Sequence, residues 1–387
     1  MKIKNNYVLA PDSFKGSLTA KEVCEAMEKG IRKVCPEANI IHVPMADGGE
    51  GTTQALVDAT NGKLIKKVVR GPLGNQVEAM YGILGDGKTA AIEMAAASGI
   101  QLVNEHTKNP LVTTTFGTGE LIRECLDNGI TKIILGIGGS ATNDGGAGMA
   151  AALGIRLLDK NNQVISVGGG SLDQLDHIDM TQVDSRLANC RIEVASDVTN
   201  PLCGPTGASN VFGPQKGATP EMIKILDDNL RHFAEVIKHD LGIDVAEMPG
   251  TGAAGGLGAG LLAFTNCILK PGVEIVIEYT NLKDKLSDAD YCLTGEGGID
   301  FQTKFGKTPF GVAKTAKQVN QDIAVIGIAG MIGEGIDSLY DVGFDAIFGI
   351  APGASELEKL LKQGAENITR TTENIVRLIK KSERLAK

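Results

Sequence analysis

The chain has 387 residues, 42% of them hydrophobic and 22% charged, which exceeds what one core usually serves and excludes disorder as its main state. A net charge of −9, with 10 Phe, 5 Tyr and no Trp, lacks the cationic footprint and stacking platforms of a nucleic-acid binder. Glycine is the outlier, at 50 residues where an average composition of roughly 7% would give about half that number.

The residues through Asn6 lead into a short apolar run with no signal-peptide core, so no leader is expected. Residues 7–10 read as a strand and Pro11 to Ser17 as a polar loop. A helix should begin near Thr19, because Thr19 and Glu22 have capping-box spacing and Val23, Met27, Ile31 and Val34 form one apolar face. Cys35-Pro36 ends it. A second strand at 40–43 leads into Pro44–Gly51 and another helix to about Thr60. Strands alternating with helices imply a parallel sheet with ligand loops at the strand C-termini.

Beyond Gly62 the texture changes. Residues 63–69, 76–84 and 89–94 read as short strands between glycine-containing turns, so a boundary is expected near residue 72. Further strands are expected at 132–135 and 191–195. The longest uncharged stretch, Met248–Leu269, carries too many glycines for a membrane span and reads as a glycine-rich loop entering a helix. Alternation returns with strands at 290–294, 324–329 and 346–350, a helix after Pro309 and a helical C-terminus. The expected architecture is α/β: a discontinuous parallel-sheet domain (1–72 and 286–387) with an inserted mixed α/β domain (73–285).

Seven cysteines without a CxxC pair, and five histidines without zincin spacing, point away from zinc sites and disulfide scaffolds and toward a reducing, cytoplasmic setting. Five loops concentrate glycine with polar side chains. Pro11–Ser17 offers Asp12, Ser13 and the mobile charge of Lys15 at a helix N-terminus. Ala46–Gly51 places Asp47 and Glu50 around Gly48 and Gly49, where backbone can approach a ligand closely. Gly136–Gly148 carries Gly138, Gly139, Ser140, Thr142, Asn143 and Asp144, all of a kind that handles polyphosphate or its metal. Asp197 and Asn200 follow a strand, with Lys216 beyond. The last loop runs from Thr294 to Thr308 with Glu296, Asp300, Thr303, Lys304 and Lys307. Gly306-Lys-Thr308 is no P-loop, because Phe301 stands where the first Walker glycine belongs. Gly250–Gly255 fits GxGxxG by letter, without the strand before it or the acid after it that a dinucleotide fold needs. Glycine nests, lysines and carboxylates without a histidine base suit phosphoryl transfer, where catalysis is positioning and charge neutralisation.

At these residues the sequence resembles the bacterial glycerate kinase family of glyoxylate and sugar-acid catabolism. The matching stretches are APDSFKGSL at 10–18, PMADGGEGT at 44–52, GIGGSATNDGGAG at 136–148 and SDVTNPLCGPTGAS at 196–209. FGPQKGA at 212–218, GAAGGLG at 252–258 (with Gly255 and Gly256) and TGEGGIDFQT at 294–303 complete them, in order across nearly the whole chain. One departure stands out: glycine occupies position 298, where the family usually has a basic residue, with Lys304 and Lys307 near enough in sequence to compensate. The resemblance implies a flavodoxin-like domain and a second α/β domain around an active-site cleft. It implies phosphorylation of D-glycerate by ATP with Mg²⁺, with 2-phosphoglycerate favoured over 3-phosphoglycerate. Chemistry then suggests Asp47 or Asp197 as the base, and Lys15 and Lys216 as neutralising charges. Asp144, Glu296 and Asp300 become the candidate Mg²⁺ ligands. The glycine loops with Asp12, Ser13, Asn143, Asn200, Thr303 and Lys307 become substrate or phosphate contacts. A kinase for another small hydroxy or sugar acid, and a non-catalytic sugar-acid sensor, are the rival readings. No membrane or nucleic-acid partner is expected.

Overall fold

The computed structural model describes residues 5–385. Its strands are β1 (Asn6–Leu9), β2 (Asn39–His42), β3 (Lys63–Arg70), β4 (Gln76–Ile83), β5 (Thr89–Glu93), β6 (Lys132–Gly136), β7 (Arg156–Leu158), β8 (His177–Asp179), β9 (Arg191–Ala195), β10 (Cys267–Lys270), β11 (Tyr291–Ile299), β12 (Ala324–Ile332) and β13 (Ala346–Gly349). They divide between two compact units. One holds the described residues up to Asp47, Gln54–Asn61 and those from Val273 onward; the other holds Gly48–Thr53 and Gly62–Gly272.

In the first unit five strands form a wholly parallel sheet in the order β13-β12-β11-β1-β2. Renumbered within the unit this is 2-1-3-4-5, the flavodoxin-like winding whose direction reverses beside β1 and β11. Tyr7 and Tyr291 stack at 4.9 Å where those strands pair. The helix Ala20–Arg32 starts at the expected capping box of Thr19 and Glu22 and buries Val23, Met27 and Ile31. It lies close against the C-terminal helix Gly364–Leu385, since a Cβ on Gly30 would come within 2.5 Å of the Thr369 carbonyl. Glycine is therefore the residue that permits this crossing.

The second unit carries a six-stranded mixed sheet, β10-β9-β6-β5-β4-β3, with the β7–β8 pair apart. Strands β10, β9, β6 and β5 run parallel, while β5, β4 and β3 are antiparallel. Its core gathers the apolar faces of these strands with Leu121, Met149, Leu230, Phe233 and Leu257.

Two boundaries differ from the sequence reading. The expected division near residue 72 falls after β3, yet β3 pairs with β4 over its whole length and so belongs to the inserted unit. Residues 273–285, expected in the insert, go with the parallel-sheet unit, where Thr280 Oγ1 lies 3.7 Å from Met45 Sδ. The Met248–Leu269 stretch is a buried helix, Ala253–Phe264, entered through left-handed backbone at Ala254, Gly255 and Gly256. No described helix is long and apolar enough to cross a membrane. All seven cysteines are free thiols.

Candidate active site

The loops after β1, β2, β11, β12 and β13 surround a cavity of ≈ 990 Å³ in the parallel-sheet unit. It opens at the carboxyl ends of the strands beside the topological switch point, where open α/β sheets bind ligands. Asp12, Ser13 and Lys15 from the first loop, Asp47 from the second, and Glu296, Asp300 and Lys307 from the β11 region all line it.

Asp12 is nearly buried and firmly held. Thr308 Oγ1 donates to its Oδ2 at 2.5 Å, and the Ser13 amide donates to its Oδ1 at 2.6 Å. Burial, reinforced by the charge of Asp47, outweighs those donors and lifts its pKa to about 6. Glu296 is raised further, to about 7, again mainly by burial. Lys307 opposes that rise from 3.3 Å, while the Asp12 charge adds to it. Thr303 is buried and donates to Glu296 Oε1 at 3.3 Å, so it positions that carboxyl rather than lining the cavity. Asp300 caps the short turn after β11 by accepting from the Gln302 amide at 2.8 Å.

The sequence reading placed Glu296 in a loop after a strand ending at Thr294. Instead β11 continues to Ile299, and Glu296 pairs in register with Ala329 of β12. Gly295 makes this extension possible, because a Cβ there would fall 1.9 Å from the Ile328 carbonyl. That glycine serves strand packing, and it fixes Glu296 on a rigid element.

In the inserted unit the glycine-rich loop after β6 is closed upon itself. Asp144, expected to face a cation with Glu296 and Asp300, is completely buried. Its oxygens accept from the Thr115 amide at 2.8 Å, the Thr115 hydroxyl at 2.9 Å, and the amides of Gly146 and Gly148, both at 3.2 Å. Lys216 is buried beside it, donating to the Thr142 carbonyl at 2.6 Å and to Ser140 Oγ at 3.3 Å. Desolvation lowers the Lys216 pKa to about 7, against the pull of Asp144. Asn143 exchanges hydrogen bonds with Ser209, and Asn200 donates to the Thr206 carbonyl at 2.7 Å.

Gly48 packs so tightly that a Cβ would lie 2.7 Å from that of Ala195, while Gly138 faces Gly49 and Gly139 has φ +73°. Gly255 and Gly256 crowd Thr142, Asn143 and Gly145. Asp197 accepts from the Gly272 amide at 3.3 Å. The sequence candidates thus form two groups, one around the open cavity and one woven into loops of the insert.

Several residues escaped the sequence reading. Thr308 looked like part of a failed P-loop, yet its hydroxyl holds Asp12. Glu93, at the end of apolar β5, accepts from the Thr53 amide at 2.8 Å, and burial raises its pKa. The buried hydroxyls of Thr52, Thr53 and Ser196 have no hydrogen-bond partner among the described residues. A carboxylate ending a hydrophobic strand was the available signal for Glu93. The hydroxyls left none.

No three His, Cys, Asp or Glu side chains form a ready cation cage among the described residues. Magnesium asks less, since one or two carboxylates beside substrate phosphates suffice. Asp12 and Glu296, two confined acids in a lysine-lined cavity where the Asp12 charge helps raise the pKa of Glu296, fit that requirement.

Comparison with known proteins points one way. The profile of the Glycerate kinase family matches residues 7–380. A glycerate kinase of Haemophilus influenzae is 54% identical over 96% of this chain and 98% of its own length. A glycerate 2-kinase of Escherichia coli is 52% identical over 95% of this chain and 96% of its own. The crystal structure of a candidate glycerate kinase 2 from Salmonella typhimurium LT2 superposes with a TM-score of 0.91 at 50% identity, covering 98% of this chain and all of that one.

Proposed function

Because the chain belongs to the glycerate kinase family and is an enzyme of that kind, we propose that it transfers the γ-phosphoryl group of ATP to the 2-hydroxyl of D-glycerate in the cytoplasm. The observation that carries the reading is the cavity at the switch point lined by Asp12, Lys15, Asp47, Glu296, Asp300 and Lys307. Such a set can position a hydroxyl, accept its proton and neutralise phosphate, which is most of what phosphoryl transfer asks of a protein. The E. coli relative's assignment as a 2-kinase favours the 2-position.

Asp47 accepts the hydroxyl proton as the oxygen attacks phosphorus and ADP departs; Asp197 is the alternative base. Lys15 and Lys307 hold the negative charge of the carboxylate and the phosphates. Thr308 and the Ser13 amide fix Asp12, and Lys307 fixes Glu296, so both acids stay aimed at the cavity. A bound Mg²⁺ supplies neutralisation of developing phosphate charge, with Asp12, Glu296 and Asp300 as the residues suited to hold it.

The test is a coupled assay of ADP release dependent on D-glycerate, with phosphorus NMR of the product to distinguish the 2-ester from the 3-ester. Absence of glycerate-dependent ADP release sinks the kinase reading. If glycerate still raised the melting temperature, a sensor would replace it. Faster turnover of another hydroxy acid would move the substrate assignment and leave the reaction class intact.

A further inference from the structure

The switch-point cavity is too large for a three-carbon acid. At ≈ 990 Å³ it stands at the top of the roughly 300–1,000 Å³ range of pockets that take drug-sized ligands. Its chemistry is also graded along the strand order. The β2, β1 and β11 side carries Asp47, Asp12, Lys15 and Glu296, whereas the β12 and β13 side carries Met331, Ile332 and Ile350. The helical segment after β13 adds Leu357, Leu360 and Leu361 to the lining and reaches back to the loop after β1, where the Ser17 hydroxyl donates to the Leu361 carbonyl. From β1 to β13 is three strand spacings, or about 14 Å at ~4.8 Å each. Asp12 beyond β1 and Ile350 beyond β13 thus stand apart by the length of an extended molecule, with Met331 and Ile332 on the intervening β12.

The apolar end is unfinished in two ways. Met331 and Leu357 stand 65% and 69% exposed, a poor arrangement for side chains of this size. Asn367, in the first turn of the helix Gly364–Leu385, lines the same cavity and is only 3% exposed, yet its Nδ2 has no hydrogen-bond partner. An unmet buried donor costs about 1–3 kcal/mol, and the soft terminal torsion of asparagine lets the amide turn toward an incoming acceptor. The missing partner should be flat, apolar on its faces and rich in acceptor atoms at its edge.

We propose that this apolar end is the nucleobase site of the phosphoryl donor, with Met331, Ile332, Leu357 and Leu360 covering the faces of a purine and the Asn367 amide donating to its edge. The assignment rests on the kinase reading and adds the orientation of the donor: base over β12 and β13, phosphates toward β11 and β1. Aliphatic and thioether contacts replace ring stacking here, as expected for a chain with no Trp and few aromatics.

The double variant Met331→Ser/Leu357→Ser alters two exposed side chains. Calorimetric titration compares the intact protein and the variant with a non-hydrolysable ATP analogue and with inorganic tripolyphosphate, which carries no base. The variant is expected to bind the analogue at least tenfold more weakly and tripolyphosphate within twofold of the intact protein. Equal weakening of both ligands, or unchanged affinity for the analogue, overturns the site. Asn367→Leu should reduce the preference for ATP over CTP at least threefold, and unchanged selectivity removes Asn367 from it. These titrations need no turnover. An intact protein that binds the analogue in this way yet phosphorylates nothing contradicts the kinase reading while leaving the base site standing. One that binds neither ligand overturns both.

Discussion

The loop Gly136–Gly148 of the inserted unit and the Asp12–Ser17 and Glu296–Lys307 segments of the parallel-sheet unit share one texture: glycine, a carboxylate and hydroxyls at strand ends. Their carboxylates nevertheless meet opposite fates. Asp144 is sealed away with amide and hydroxyl donors from both its own loop and Thr115. Burial raises the pKa of all three acids, but Asp12 and Glu296 line an open cavity and each accepts from only two groups among the described residues, Thr308 and Ser13 for the one, Thr303 and Lys307 for the other. An acid that a loop saturates is a staple for that loop. An acid that the fold confines without saturating is available to a ligand.

The sharpest way to break this contrast is to remove a carboxylate of each kind. Asp47→Asn should lower kcat by about 10²–10⁴-fold, the contribution of a positioned general base, with an unchanged melting temperature and circular dichroism. Near-normal turnover would move the base role to Asp197, where Asp197→Asn should then show the loss. Asp144→Ala should fail the other way. It strands the amides of Thr115, Gly146 and Gly148 without an acceptor, at about 1–3 kcal/mol for each buried donor. Poor yield or a melting temperature lower by many degrees is expected. A stable Asp144→Ala protein with lost activity would place Asp144 in the chemistry.

A smaller effect comes from pH. Asp12 rises from 3.8 to about 6 and Glu296 from 4.5 to about 7 in the folded chain. The folded state therefore holds more protons than the unfolded state between those values, and stability declines as pH rises through that window. Lys216, lowered from 10.5 to about 7, adds the opposite slope only at higher pH. Without ligands, the melting temperature should drop by several degrees between pH 5 and pH 7, and Glu296→Gln should flatten the decline. A slope that Glu296→Gln leaves untouched would show that this acid is not confined as described.

The sequence reading recovered what depends on period and punctuation. The capping box at Thr19, the three strands after Gly62 and the return of alternation near Asp290 all follow from local rules, and each has its counterpart in the structure. It could not tell a staple from a ligand, because Asp144 and Asp12 sit in similar local words and differ only in which distant donors reach them. The Gly295–Ile299 extension of β11 was hidden as well, since glycines that read as a loop are what allow close strand pairing. The apolar end of the cavity had no signal, because Met331, Ile332 and Leu357 look like ordinary core residues until the fold exposes them.

Position 298 carries the least costly prediction and separates sequence departure from functional loss. Gly298 lines the cavity, and a Cβ built there meets nothing within 4 Å, so a side chain can enter without displacing a neighbour. Lys307 already reaches this place, its Nζ lying 3.5 Å from the Gly298 carbonyl and 3.3 Å from Glu296 Oε1. If Lys307 supplies the charge that a basic residue at position 298 would bring, Gly298→Lys should leave the melting temperature unchanged and alter kcat/KM by less than about threefold, within an RT-scale change in binding. Lys307→Met should raise the KM for ATP or glycerate about tenfold, equivalent to ~1.4 kcal/mol. Adding Gly298→Lys to Lys307→Met should recover most of that loss, because the new ammonium enters the same open space beside Glu296. Failure of the double variant to recover would mean that the lysine acts through its grip on Glu296 and the Gly298 carbonyl rather than through charge alone.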